Sequence, residues 1–470
     1  MLSPVLLPQH PSRRRFLQYT LAAVPFFTAP LLAACSAASG SSTKPVTASR
    51  QQSTSHSTAA QAANNPNAAA VKLSFVTWGS VDEIKTRQHY TAQFNTAHPS
   101  IHVSFAPVTG NYWTAIQTRM AGGDAPDVYY LEPGHVLSLR CRSALLDLSP
   151  YVARDKFSLS DFYSRGITEY TIASKLWALP RDFANQDIFY NVDLFQKAGV
   201  SLPPKRFDAK GWTFTDFLAA CQKLTSGSGP TKTFGFAVPQ GFRAYMMFVW
   251  SNGGDIVSPD DRKPTINQPD AVEGLQFLED LIGKYHVAPT PADLQTQNAN
   301  NLFYTGRVGM IVSIPAQLAL FRKSAKSFQW DVAPPPLGPH GTKRWVGGGG
   351  AGFGVYGKTP HADQAWQLMQ WVTSATVQKE EVDAGTSMGS RLSVGQYFIK
   401  VNQGKDPANV KMFVEASEHN LHTDPHASHW LQIGNLLTKE FADLWDVRRP
   451  AQEVTNAVAQ QMAPLLLEPC

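Results

Sequence analysis

The sequence predicts an α/β protein in which helices cover parallel sheets, and three observations carry that prediction. An alternating β-rich run over residues 71–78 is followed by a helical stretch over 81–96 and a second alternating run over 101–105, a strand–helix–strand unit. The same alternation recurs down the chain. The stretch from residue 35 onward is 436 residues long, enough for a large core and more than one lobe.

The elements follow in order. Gly79-Ser80 breaks the first strand, and His98-Pro99 ends the first helix. A short helix over 113–121 is stopped by Gly122-Gly123, and 127–131 is the next strand. A helical turn over 193–198 stops at Gly199. Thr213, with Asp216 three residues on, caps a helix running to Leu224. Strands are predicted over 234–238, 308–312 and 329–333, with a long amphipathic helix over 269–284. Helices dominate over 361–371 and from about 428 to the end.

The first 34 residues read as an export leader. Ser12-Arg13-Arg14-Arg15-Phe16-Leu17 precedes a weakly apolar run, and Leu32-Ala33-Ala34-Cys35 closes it. The twin arginines resemble a twin-arginine export signal, and the final four residues resemble a bacterial lipobox, with Cys35 as the lipidated residue. The alternative, one transmembrane anchor, fits poorly because Pro25 and Pro30 interrupt a run already short of the ~20 residues needed to span. Residues 35–70 are rich in Ser, Thr, Ala, Gln and Asn and cannot bury enough apolar surface to order themselves, so they read as a tether. The expected location is the extracytoplasmic face of the cell membrane.

Composition excludes some functions. The formal charge of +5 falls to +2 without the leader, and no Lys/Arg cluster follows it, so no nucleic-acid partner is expected. Cys141, Cys221 and Cys470 are widely separated and make neither a disulfide framework nor a metal pair, leaving any bridge among them open. Eleven Trp and 14 Tyr suit ringed ligands and equally suit a core.

A series of motifs then appears in order: Met120 to Val128, with its Gly-Asp-Ala-Pro-Asp turn; Leu179-Pro180 followed by Phe189-Tyr190-Asn191 and Leu194 to Gly199; Trp212 to Leu224; Phe303 to Met310; and the glycine-rich Gly347 to Phe353. In these motifs the chain resembles the extracellular solute-binding proteins of the maltose-binding, carbohydrate ABC-transporter class. The resemblance covers residues 71–460 and implies a two-lobed type II periplasmic-binding-protein fold with hinge crossovers near 181–189 and 312–315. It places residues 71–183 and 313–358 in the first lobe and 184–312 and 359–470 in the second. It also implies a non-enzymatic receptor, monomeric and without cofactor or metal, that captures a sugar between the lobes and passes it to permease subunits. A same-fold receptor for a phosphodiester or polyamine, and an exported carbohydrate-active enzyme, are the alternatives.

A sugar site needs rings to stack on and planar polar groups for paired hydrogen bonds. Trp78 and Ser80 at the first strand end, Glu83 in the next helix, and Glu132 after a later strand share one topological edge, where open sheets place ligands. Asp182 and Asn185 lie in the first crossover and Ser313 at the second. Tyr245 and Trp250 lie in an apolar helical run, Gly348 and Gly349 in the glycine stretch, Arg391 after Met388-Gly389-Ser390, and Trp430 at the start of the last helices. Each has a structural alternative: core ring, capping acid, hinge stabiliser or surface cation. Three decoys are rejected. Gly347, Gly349 and Gly352 are followed by strand, not the helix a dinucleotide needs. Gly385-Thr386-Ser387-Met388-Gly389 lacks the apolar strand of a nucleophile elbow. His422, His426 and His429 are interrupted by Pro425.

Overall fold

The computed structural model describes residues 70–467. The leader, Cys35, nearly all of the tether and Cys470 lie outside them. Two sheets organise the described chain. The first has the strand order Ile101–Pro107, Val71–Thr77, Val128–Leu131, Gly352–Val355, Ala178–Pro180. Its first three strands run parallel, as the strand–helix–strand pattern requires. The second has the order Trp330–Ala333, Asp187–Asn191, Val308–Ser313, Phe234–Phe236.

The α/β class holds, but strand direction is mixed rather than mostly parallel. Gly352–Val355 runs antiparallel to both its neighbours, and Asp187–Asn191 does the same in the second sheet. Both strands enter their sheet from the other lobe and so arrive from the opposite end. The alternation of side chains that reveals a strand is identical in either direction.

Local chemistry sets the helix starts. Ser80 caps the helix Val81–Ala97, accepting from the Glu83 amide while the Glu83 carboxylate accepts from the Ser80 amide. Thr213 and Asp216 form the same reciprocal cap on Phe214–Leu224. Leu73, Phe75, Val128, Phe353 and Trp366 belong to the core of the first sheet. Separate cores lie against the second, one around Tyr190, Phe217 and Phe248, another around Phe189, Phe321 and Trp330.

Residues 181–186 join Ala178–Pro180 in the first sheet to Asp187–Asn191 in the second. The return passage does not begin at Ser313. After Ser313 the chain turns through Pro315–Gln317 into the helix Leu318–Ser324 and returns to the same sheet as Trp330–Ala333. The return to the first sheet is made by residues 348–351, so residues 313–333 belong with the second sheet. The helix Ala362–Val372, assigned with the C-terminal helices to the second lobe, packs instead on the first sheet, where Trp366, Leu368 and Met369 are buried.

The two crossovers lie side by side. The amides of Arg181 and Asp182 donate to the Ala351 carbonyl at 2.8 and 3.2 Å, the Asp182 carboxylate accepts from the Ala351 amide at 3.0 Å, and Gln186 donates to Gly347 at 2.7 Å. Each passage therefore satisfies the other's backbone groups, as buried irregular chain must.

Candidate interlobe site

Strand ends of the first sheet build one wall. Trp78 follows Val71–Thr77 and is 43% exposed, with its ring set edge-on to Tyr130 at 5.8 Å. The Tyr130 hydroxyl donates to Glu132 at 3.3 Å, and Trp113 lies close enough to favour that carboxylate's charged form. Trp113 in turn packs on the His135 ring, centroids 3.6 Å apart. Burial is the main influence on Glu132 and raises its pKa, while Arg243 pulls it back down. Burial likewise pushes His135 down to about 4, so it is neutral at pH 7 and no cation for Glu132, 4.0 Å away.

The second lobe supplies the group facing this carboxylate, Arg243 at the start of the helix Phe242–Ser251. Its guanidinium grips Asp424 through two contacts, Nε–Oδ1 at 2.9 Å and Nη2–Oδ2 at 2.5 Å. Asp424 is buried, yet the Glu132 and Arg243 side chains keep 29% and 22% of their surface accessible. Glu132 and Arg243 thus keep part of their surface accessible while lying within electrostatic reach of one another, as residues lining a cleft would. Glu169 lies close by, fully enclosed. Its Oε2 accepts from the Gly350 amide of the second crossover at 3.1 Å, and burial lifts its pKa to about 8.

Trp78 is anchored from behind. Arg87 donates to the Trp78 carbonyl and pairs with Glu83 at 2.8 Å. Arg181 joins Asp182 at 2.8 Å, Glu381 at 3.1 Å and Glu83 at 3.6 Å. Burial alone would lift the Glu83 pKa, but Arg181 and Arg87 outweigh it and hold it below the usual range.

The structure thus brings Trp78, Glu132 and Glu83 to one edge, with Ser80 as the helix cap. It puts Asp182 and Asn185 inside the crossover, where Asn185 donates to Phe413 at 2.9 Å and Asp187 at 3.2 Å. Ser313 stands opposite Asp187 in the second sheet, buried. Tyr245, Trp250, Arg391 and the glycine stretch are each engaged by protein. Tyr245 is buried against Phe441 and Trp445. The Trp250 indole donates to Asp255 and stacks on His422 at 4.1 Å, which itself lies 3.2 Å from Asp255. Arg391 donates to the Thr373 carbonyl, pairs with Asp161 and lies over the Phe162 ring at 3.8 Å, none of which touches the Trp78–Glu132 wall. The glycine stretch meets protein: a Cβ on Gly349 would fall 2.7 Å from the Arg243 guanidinium, one on Gly348 2.3 Å from Leu421, and one on Gly347 2.0 Å from the Arg243 carbonyl. Absent side chains there let Arg243 lie against the crossover.

Trp430 is buried against Phe242 at 5.2 Å, and its indole fills the space above Gly134, where a Cβ would sit 2.2 Å away. It therefore spans from the second lobe to the loop carrying Glu132 and His135. Sequence reasoning missed Trp113, His135, Glu169, Arg243 and Asp424. The single cation opening an otherwise apolar helix at Phe242–Ser251 was the readable signal for Arg243.

A groove of about 790 Å³ lies elsewhere, on the second lobe between Phe214, Leu218, Val272 and Phe277, remote from these charges. Among the described residues no group of three or more His, Cys, Asp or Glu could hold a metal ion, and no helix is long and apolar enough to cross a membrane. Cys141 is disulfide-bonded and Cys221 is a free, buried thiol.

Comparison with known proteins gives the same architecture. An ABC substrate-binding protein of Listeria monocytogenes, solved with cycloalternan, superposes with a TM-score of 0.75 at 24% identity, over 84% of this chain and 98% of that one. The maltose-bound MalE3 of T. maritima gives 0.69 at 21%, over 84% and 100%. A putative binding protein of Brucella abortus is 22% identical over 285 residues, which is 59% of this chain and 66% of that protein, just under two thirds of its length. The sequence profile of the bacterial extracellular solute-binding proteins matches residues 78–379, well over half of the chain. With the two sheets and their crossovers, that match places the chain in the bacterial extracellular solute-binding protein family.

Proposed function

We propose that this protein is the substrate-binding lipoprotein of an ABC importer, capturing a mono- or oligosaccharide between its lobes and delivering it to the membrane permease subunits. The observation that carries this reading is the pair of facing walls. One offers an exposed ring, Trp78, beside a wetted carboxylate, Glu132; the other offers the Arg243–Asp424 pair. Rings stack on the C–H faces of a sugar while carboxylate and guanidinium bond its hydroxyls. The sugars held by structural neighbours support the ligand class. Closure about the paired crossovers is the expected motion. The reading includes no turnover: the protein binds the sugar and releases it unchanged, as a monomer. The test is calorimetry and thermal shift against a sugar panel, with chromatography of the recovered ligand. Binding without conversion supports the receptor; conversion of the sugar identifies an enzyme instead.

Trp78 and Trp250 separate contact from core. Trp78→Ala is expected to weaken sugar binding tenfold to a hundredfold, ~1–3 kcal/mol, with little change in melting temperature. Trp250→Ala, which empties a buried site, is expected to cost about 3–5 kcal/mol of stability. Equal stability losses in the two variants would count against Trp78 as a ligand surface.

The lipid anchor belongs to the same proposal. Replacing Cys35 with Ser is expected to shift the protein from the membrane fraction to the soluble one. A variant that stays with the membranes as fully as the parent would remove Cys35 as the attachment point.

A further inference from the structure

Charge at the cleft has a direction. Arg243, the cation facing Glu132 from the second lobe, is held by Asp424 through two contacts at 2.9 and 2.5 Å. Its Nε and Nη2 are engaged by a carboxylate from its own lobe, which offsets its charge. The neighbouring cations are turned elsewhere: Arg165 donates twice to the Leu421 carbonyl, and Lys343 donates to His419 while lying over the Trp345 ring. His135, the remaining basic group beside Glu132, is neutral.

Against these stand the carboxylates. Glu132 has a hydrogen bond from Tyr130 but no charged partner within ion-pair distance, the His135 ring being neutral, and 29% of its side chain stays accessible. Asp255 is 39% exposed beside His422, and Asp424 adds a third negative group behind Arg243. The rings next to Glu132, Trp78 and Trp113, present π faces, which attract cations and repel anions.

We infer that the cleft selects saccharides by charge, admitting neutral and amine-bearing sugars and rejecting uronic acids and sugar phosphates, with Glu132 as the residue that sets this preference. The inference rests on the sugar-receptor reading above and deepens it. An acidic sugar would bring its anion beside the Glu132 carboxylate, while the charge of Arg243 is already offset by Asp424, a like-charge juxtaposition in a partly desolvated site. A hydroxyl donates to Glu132 without penalty, and a protonated amine supplies the positive charge the carboxylate lacks.

The test uses the whole protein and matched probes: glucose, galactose, mannose and maltotriose, each beside its uronate or 6-phosphate and its 2-amino counterpart. Affinities are measured by calorimetry at pH 7.5 in wild type and in Glu132→Gln. The expected result is that the neutral or amino member of the best-binding set binds at least tenfold more tightly than its acidic partner. Glu132→Gln, with an unchanged melting temperature, is expected to shrink that gap about tenfold. An acidic member that binds as tightly as its neutral parent overturns the inference and leaves the receptor reading intact. A gap that survives unchanged in Glu132→Gln overturns the role of that residue. Failure of every saccharide to bind overturns the receptor reading and this inference with it.

Discussion

Replacing Arg181 with Met is expected to lower folding stability by about 3–5 kcal/mol, the cost of leaving buried carboxylates without their counter-ion. Arg181 is almost wholly buried and touches Asp182, Glu381 and Glu83 from the first crossover. Asp182 and Glu381 are themselves buried, and burial already raises both of their pKa values against the pull of Arg181. Met keeps much of the volume, so the loss reports charge rather than a cavity. The double variant Arg181→Met, Glu381→Gln is expected to recover part of it, since one stranded carboxylate is gone; a purely additive double variant would show that the two groups are not coupled. Denaturant melts of the four proteins at pH 7 measure the cycle. Because Glu83 also holds Arg87, whose guanidinium reaches the Trp78 carbonyl, the single variant should loosen the Trp78 wall and weaken sugar binding as well.

The opening of the fold was readable because periodicity and caps are local. Residues 71–78 alternate whatever they pair with, and Ser80 and Thr213 each meet an acid three residues on. Strand direction and the second crossover were not readable, because both depend on where the chain goes next. Pro315 looks the same whether it begins a passage between lobes or, as here, a turn back into the same sheet. The site shows the same division. Trp78 and Glu132 could be placed on one edge of the first sheet from the sequence because strand ends follow from the pattern. Trp250 was misread because an unbroken apolar helix gives no sign of which ring faces outward, and its partner His422 is 172 positions away in sequence. Arg391 was misread because an arginine at a loop-to-helix junction serves a cleft and a half-buried Asp161 equally well in one dimension. Gly348 and Gly349 are candidates for the sugar site in sequence, whereas in the structure Leu421 and Arg243 lie against them.

Glu169→Gln is expected to stabilise the protein at pH 8 and above, and to flatten its pH dependence below that. Burial raises the Glu169 carboxyl from an ordinary 4.5 to about 8, the Gly350 hydrogen bond and Arg243 opposing it. The sign follows from the two states. Below pH 4.5 the group is protonated in both, and it exerts no pH-dependent effect. From 4.5 to about 8 the unfolded chain loses this proton while the folded chain keeps it, so its contribution to stability falls steadily as pH rises. Above about 8 both states are ionised and the loss is complete. The interval sets a ceiling of ~5 kcal/mol, and relaxation around the ionised carboxylate makes the realised gain smaller, on the order of 2–3 kcal/mol. Gln keeps the carbonyl oxygen that accepts from Gly350. His135, pushed down to about 4, titrates against stability only below its ordinary 6.5, so melts between pH 7 and 9 are free of its contribution. The difference in unfolding free energy between variant and parent should therefore grow from pH 7 to about 8 and then level. A difference that is constant across that range would mean the Glu169 carboxyl is already ionised in the folded protein, held charged by Arg243 across the cleft, and that the second crossover rests on an ion pair rather than on a neutral acid.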